Sequence, residues 1–146
     1  MESITAIVAV YGALLSTVAI VWQIVAWRSR VVGRVKVSVR DNMMTYSQLD
    51  GEEGPFIVFE AVNDGEKPVR LSTLWVTVKG AQKALFVKCE RLPVNLSEGD
   101  EFTQLSDRAG FMKALRDLGV SSPWRCTAVF CSSTKREYSK KFELKP

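Results

Sequence analysis

The chain has 146 residues, 20 of them Lys or Arg against 16 Asp or Glu, and no histidine. Without an imidazole it lacks the usual general base, both common nucleophile pairs (Ser-His and Cys-His) and the commonest zinc ligand. Its pI of about 9.1 invites a nucleic-acid reading, which the placement of the charge removes.

The 25 residues numbered 3–27 carry no charge, and Arg28, Arg30, Arg34, Lys36 and Arg40 follow at once. About 20 apolar residues cross a hydrocarbon core roughly 30 Å thick, so this run is long enough to span a bilayer as one helix. It is apolar on every face, with Thr5, Ser16, Thr17 and Gln23 as its polar side chains. A cleaved leader would need a basic start, a shorter apolar stretch and a small-residue cleavage site. This chain begins Met1-Glu2-Ser3 and closes the run with Ala26-Trp27-Arg28, so an uncut anchor is expected.

Residues 28–40 hold five basic side chains and no acid, Glu2 is the acid before them, and the charges beyond Arg40 balance. The whole surplus therefore sits beside the span, where it also suits anionic lipid at about 1 kcal/mol per basic residue. Topology accounts for it without a nucleic acid. Basic flanks stay on the cytoplasmic side, which predicts the amino terminus outside and residues 31–146 in the cytoplasm. Trp22, Trp27, Arg28, Arg30 and Arg34 form the expected membrane-interface set, because indole rings settle at the headgroup boundary. Ala9, Gly12, Ala13 and Ser16, with Ala19, fall near one face and would let two such helices approach, so a homo-oligomer through the span stays open.

Residues 1–30 are thus read as a transmembrane anchor with a basic flank, and residues 31–146 as one domain. Val35, Val37 and Val39 alternate with polar residues, a strand with one wet face beginning too soon after the span for a long tether. Residues 41–55 read as a loop and 56–62 as a strand. Asn63-Asp64-Gly65-Glu66-Lys67-Pro68 reads as a tight hairpin turn in which Asp-Gly supplies a positive φ. The next strand, 69–78, slips period near Ser72-Thr73, which predicts a bulge.

A strand at 84–89 is followed by a turn-rich crossing at 92–100 and a short strand at 101–105. Ser106 or Asp107 can cap a brief helix over 108–118 that Gly119 ends. Strands 124–131 and 137–144 pair across 132–136. The fold class is mainly β: a seven-stranded immunoglobulin-like sandwich with one short helix behind the N-terminal transmembrane helix, an incomplete barrel being the rival.

Cys89, Cys126 and Cys131 lack metal-knuckle spacing, and Cys126 and Cys131 point to opposite faces of one strand, so all three read as small hydrophobes in a reducing compartment. The glycines stand singly, without a phosphate loop. Asp50, Glu52, Glu53, Glu60, Asp64 and Glu66 do not match a calcium loop and read as a solvated face. Trp75 and Trp124 read as core aromatics. Lys135, Arg136, Lys140, Lys141 and Lys145 read as a solvated hairpin, with a lipid or polyanion contact as the other reading. No catalytic, cofactor-binding or metal-ligating residue is assigned.

Trp22-Gln23 and Trp27-Arg28 at the end of the span, Asn63-Asp64-Gly65-Glu66-Lys67-Pro68-Val69, and Leu92-Pro93 through Leu96-Ser97-Glu98-Gly99 together resemble a group of small bacterial single-span membrane proteins with a cytoplasmic immunoglobulin-like sandwich. The resemblance covers most of the chain and implies architecture; it implies no site residue. The functional expectation is a non-enzymatic, membrane-tethered module that binds another membrane or cytoplasmic protein through residues 41–55 or 92–119. The rival expectation is a membrane-active sensor of a small anionic ligand facing Arg70, Lys79, Lys83, Lys88 and Arg91.

Overall fold

The structure, a computed structural model, describes residues 2–44 and 54–146. Helix α1 (Glu2–Val31) is followed after three residues by strands β1 (Val35–Met44), β2 (Pro55–Asn63), β3 (Val69–Val78), β4 (Leu85–Phe86), β5 (Val94–Leu96) and β6 (Glu101–Asp107). Helix α2 (Arg108–Asp117) and strands β7 (Trp124–Ser132) and β8 (Glu137–Leu144) complete the chain. The strands form two antiparallel sheets, β1-β2-β6 and β4-β3-β7-β8, with β5 also paired to β3. Eight strands replace the expected seven, because Val94–Leu96 inside the supposed crossing pairs with β3.

The inward faces alternate as strands require. Val69, Leu71, Leu74, Val76 and Val78 of β3 are buried, and the slip of period at Ser72 is a register shift against β7 between Leu71 and Thr73. Phe59, Phe102 and Phe130 are fully buried, with Phe102 and Phe130 edge to face at 6.0 Å between ring centroids. Asp107 caps α2 by accepting from the Gly110 amide at 2.7 Å, and Gly119 follows in the left-handed region at φ 74°. Phe111, Met112 and Leu115 bury the apolar side of α2 at the sandwich end far from α1. Fully burying such side chains is worth about 1.5–3 kcal/mol each.

Four expectations need correction. The strand begun at Val35 does not stop at Arg40. It continues to Met44 through a bulge at Asn42, whose φ of 59° an asparagine tolerates. The rest of the expected loop, 45–53, lies outside the described residues. The strand at 84–89 shrinks to Leu85–Phe86, which form the ladder pairs with β3, and the Val87 amide adds one bond to the Leu74 carbonyl at 3.1 Å.

Residues 63–68 do not form a hairpin, because β2 and β3 belong to different sheets. Gly65 is not among the positive-φ glycines; its value is space, since a Cβ there would sit 2.9 Å from the Arg34 amide nitrogen. Trp124 is buried as expected, its indole nitrogen donating to the Val120 carbonyl at 2.8 Å. Trp75 is not a core residue: it lies half-buried on the outer sheet face, opposite Phe86 with ring centroids 6.1 Å apart.

Candidate functional site

Helix α1 rises about 45 Å at 1.5 Å per residue. Its stretch Ile4–Arg28 has a mean hydropathy of 2.3 and no buried residue, long and apolar enough for a membrane anchor or a signal sequence. Ala9, Gly12, Ala13 and Ser16 lie in one exposed stripe about 100° wide. The Ser16 hydroxyl donates to the Gly12 carbonyl at 2.8 Å and Thr17 to Ala13 at 2.9 Å, so these polar groups are satisfied within the helix. Nothing approaches within 4 Å of a Cβ placed on Gly12. Trp22 and Trp27 are exposed at 74% and 66%, and Arg28 and Arg34 are exposed as well; the Arg30 side chain lies outside the described residues.

The junction between this helix and the sheets is closely built. β1 begins at Val35 opposite Asn63, β3 at Val69 opposite Leu96, and Leu71 pairs with Ser132. The turns 63–68, 97–100 and 132–136 therefore gather at the helix-side end. A Cβ on Gly33 would stand 2.6 Å from Val69 Cγ2, and the Gly33 carbonyl accepts from the Tyr138 hydroxyl at 3.3 Å.

Asn63 fastens the turns. Its side-chain amide donates to the carbonyls of Lys67 and Leu96, both at 2.9 Å, and its side-chain oxygen accepts from the Gly65 amide at 3.0 Å. Its backbone exchanges bonds with Asp100 and Gly99. Fully buried, it satisfies every polar atom it brings inside. In the sequence it reads only as a turn residue; the one signal of more is an asparagine closing a mostly apolar strand.

Beside Gly33 lies a recess of about 280 Å³. Its wall is apolar, from Val32, Pro68, Val69 and the Tyr138 ring, and its rim carries Lys67, Arg70 and Arg136 with the hydroxyls of 132–134. No carboxylate among the described residues lines it. The buried Ser132 hydroxyl shapes the rim, 2.9 Å from the Thr134 hydroxyl and accepting from the Arg136 amide at 3.1 Å.

Of the basic residues named for an anionic ligand, Arg70, Lys79, Lys88 and Arg91 do not share one recess. Arg70 lines this junction recess, whereas Lys79, nine residues along β3 and about 30 Å away, lines one with Arg125, Lys141 and Glu143. Lys88 borders a groove beside β4, and the Arg91 guanidinium carbon stands 6.0 Å from the Phe102 ring centroid. The two segments named as partner surfaces do meet at the far end: Arg108 donates to Asp41 at 3.0 Å and to the Lys145 carbonyl at 2.7 Å.

That groove, about 280 Å³, opens between edge strands β4 and β6 against α2. Phe86, 76% exposed, and Leu105, 44% exposed, flank it over Phe111 and Ala114. The loop 92–119 thus contributes its strand β6 and helix α2, while Phe86 is a surface residue that sequence reasoning missed.

Glu60 on the outer face of β2 accepts from Arg40 and from the Ser38 hydroxyl, the latter at 2.6 Å, and both bonds hold its carboxyl below the usual range. Asp64 lies at the helix-side end, and Asp50, Glu52 and Glu53 lie outside the described residues; no acidic or thiol group of metal-holding geometry occurs among the described ones. Burial pushes the Cys89 and Cys126 thiols up to about 11, so at neutral pH about one in ten thousand is ionised. Cys131, half-buried, sits on the opposite face from Cys126.

No protein-family model matches the chain, and no curated protein does. Among solved structures it is similar to the X-ray structure of Northeast Structural Genomics Consortium target SoR45, at 14% identity and a TM-score of 0.36, over 78% of this chain and 86% of that one.

Proposed function

We propose that the chain is a single-span membrane protein whose β domain binds another protein at the cytoplasmic face of a bacterial inner membrane, without catalysis of its own. The uncut anchor is supported by the 25-residue span and the arginines after it, and the orientation by their excess on that side. The three-residue link from Val31 to Val35 then keeps the domain beside the bilayer. Confinement of that kind raises the effective concentration toward membrane partners without any new contact. The immunoglobulin-like reading is supported by the strand partition, in which the first, second and sixth strands face the third, seventh and eighth.

The observation that carries the binding role is the groove flanked by exposed Phe86 and Leu105. Large apolar side chains beside a groove between unpaired strand edges are the features by which sandwiches hold partners. The test is a photo-crosslinking amino acid placed at Phe86 in the full chain, in membranes. A discrete protein adduct that is absent when the probe sits at Lys79, and that Leu105→Ser abolishes, supports the role. Identical adduct patterns from both positions sink it.

A further inference from the structure

The geometry points to a phosphate-binding site in the recess where α1 meets the sheets, with the headgroup phosphate of an anionic phospholipid as its source. The recess combines the two chemistries that a phospholipid headgroup and its glycerol present. Lys67, Arg70 and Arg136 form a cationic rim with the hydroxyls of Ser133 and Thr134, and no carboxylate among the described residues lines the space to neutralise it. None of the three cations has an ion-pair partner among the described residues. Arginine's planar fork and a serine hydroxyl are donors that match phosphate oxygens.

Val32, Pro68 and Val69 supply apolar lining, and Val32 directly follows the last residue of α1, which suits glycerol and the first acyl carbons. The backbone that carries the rim is fixed. Arg70 is in register on β3 opposite Asn95, its carbonyl accepts from the Ser133 amide at 2.9 Å, and the turn bearing Arg136 is closed by the Ser132 amide on the Arg136 carbonyl at 2.8 Å.

The choice of a lipid phosphate over a dissolved one rests on the anchored reading above; the affinity of the recess for phosphate does not. The test places the full chain in nanodiscs of phosphatidylcholine and in discs enriched in phosphatidylglycerol, and adds glycerol 3-phosphate to the former in a separate arm. Amide exchange across residues 67–70 and 132–136 is the readout, with the buried amides of β2 and β7 reporting in the same samples that each variant is folded.

Slower exchange in the phosphatidylglycerol discs supports the lipid source, and slowing by glycerol 3-phosphate supports the site with a dissolved source. Each arginine contributes about tenfold in affinity, so Arg70→Gln with Arg136→Gln removes the protection. Lys79→Gln with Lys113→Gln, an equal loss of charge at the far end, retains it. No protection in either arm, or protection equal in the two double variants, overturns the site. A chain that does not float with the discs sinks the anchored reading, while the glycerol 3-phosphate arm, run in detergent, still decides the recess.

Discussion

The Asp64 amide donates to the Arg34 carbonyl at 2.9 Å, which ties the turn between the two sheets to the link that follows α1. The helix and the domain are therefore joined by more than the covalent chain. Any change in this layer acts on both the sandwich and the attachment of the helix.

Asn63→Ala takes away the side-chain donor to the buried Leu96 carbonyl and to the Lys67 carbonyl, and the side-chain acceptor of the Gly65 amide. Unpaired buried groups cost about 1–3 kcal/mol each, reduced where water reaches the turn, and the variant is expected to lose about 3 kcal/mol of unfolding free energy in urea. Ser72→Ala, which removes a long contact of 3.4 Å to Ser133, is expected to change it by under about 0.5 kcal/mol.

Gly33→Ala drives a methyl group to 2.6 Å from Val69 Cγ2, a branched side chain with little room to yield. Overpacking of this kind costs about 1–3 kcal/mol. Val69→Ala alone also destabilises, but the double variant is expected to be more stable than the sum of the two losses implies, by at least about 0.5 kcal/mol in a double-mutant cycle. Simple additivity would show that the two residues do not touch.

The pH dependence at Glu60 follows from the sign of its shift. Its folded carboxyl is held down by Arg40 first and Ser38 second, so in the acid range the unfolded chain binds the proton more readily. The contribution is fully present above the unfolded value of about 4.3 and is lost as the pH falls through the lower folded value. The stability difference between the natural chain and Glu60→Gln is therefore expected to narrow as urea midpoints are followed down through this window. Because Arg40 is largely in solvent, the difference will be small and will shrink with salt.

Cys126 is 2% exposed, and its pKa of about 11 leaves almost no thiolate near neutrality. Its alkylation by iodoacetamide at pH 8 is expected to follow global unfolding, with the same urea dependence as the loss of tryptophan signal. Rapid labelling in the folded chain would contradict the packing described for β7.

Most strands are legible along the chain because each carries its own period. Val35, Val37 and Val39 alternate, β3 alternates on either side of its bulge, and the pair β7 and β8 is bounded by polar turns. The misreadings fall where the deciding partner is remote in sequence. Val94–Leu96 becomes a strand through β3. Trp75 is the exception, misread against a local signal, since Leu74, Val76 and Val78 alternate inward after the bulge and leave it on the outer face.

The candidate surfaces were still less legible. Phe86 looks like any strand aromatic until β4 proves to be an edge, and Lys67, Arg70 and Arg136 lie in two distant segments that nothing local connects.

What the amino-acid order determined by itself was the apolar helix with its basic end, the β class of the remainder and the lack of imidazole chemistry. All three are properties of composition and short-range period, which hydration and backbone geometry read locally. The tertiary structure alone decided that residues 63–68 link two sheets instead of closing a hairpin, that Asn63 holds three turns together, and that a cationic recess forms beside Gly33. Those outcomes depend on contacts between segments distant along the chain, such as the pairing of Val35 with Asn63 and the bond from the Tyr138 hydroxyl to the Gly33 carbonyl. Local preference carries no information about such pairings, because their free energy appears only when both partners are in place.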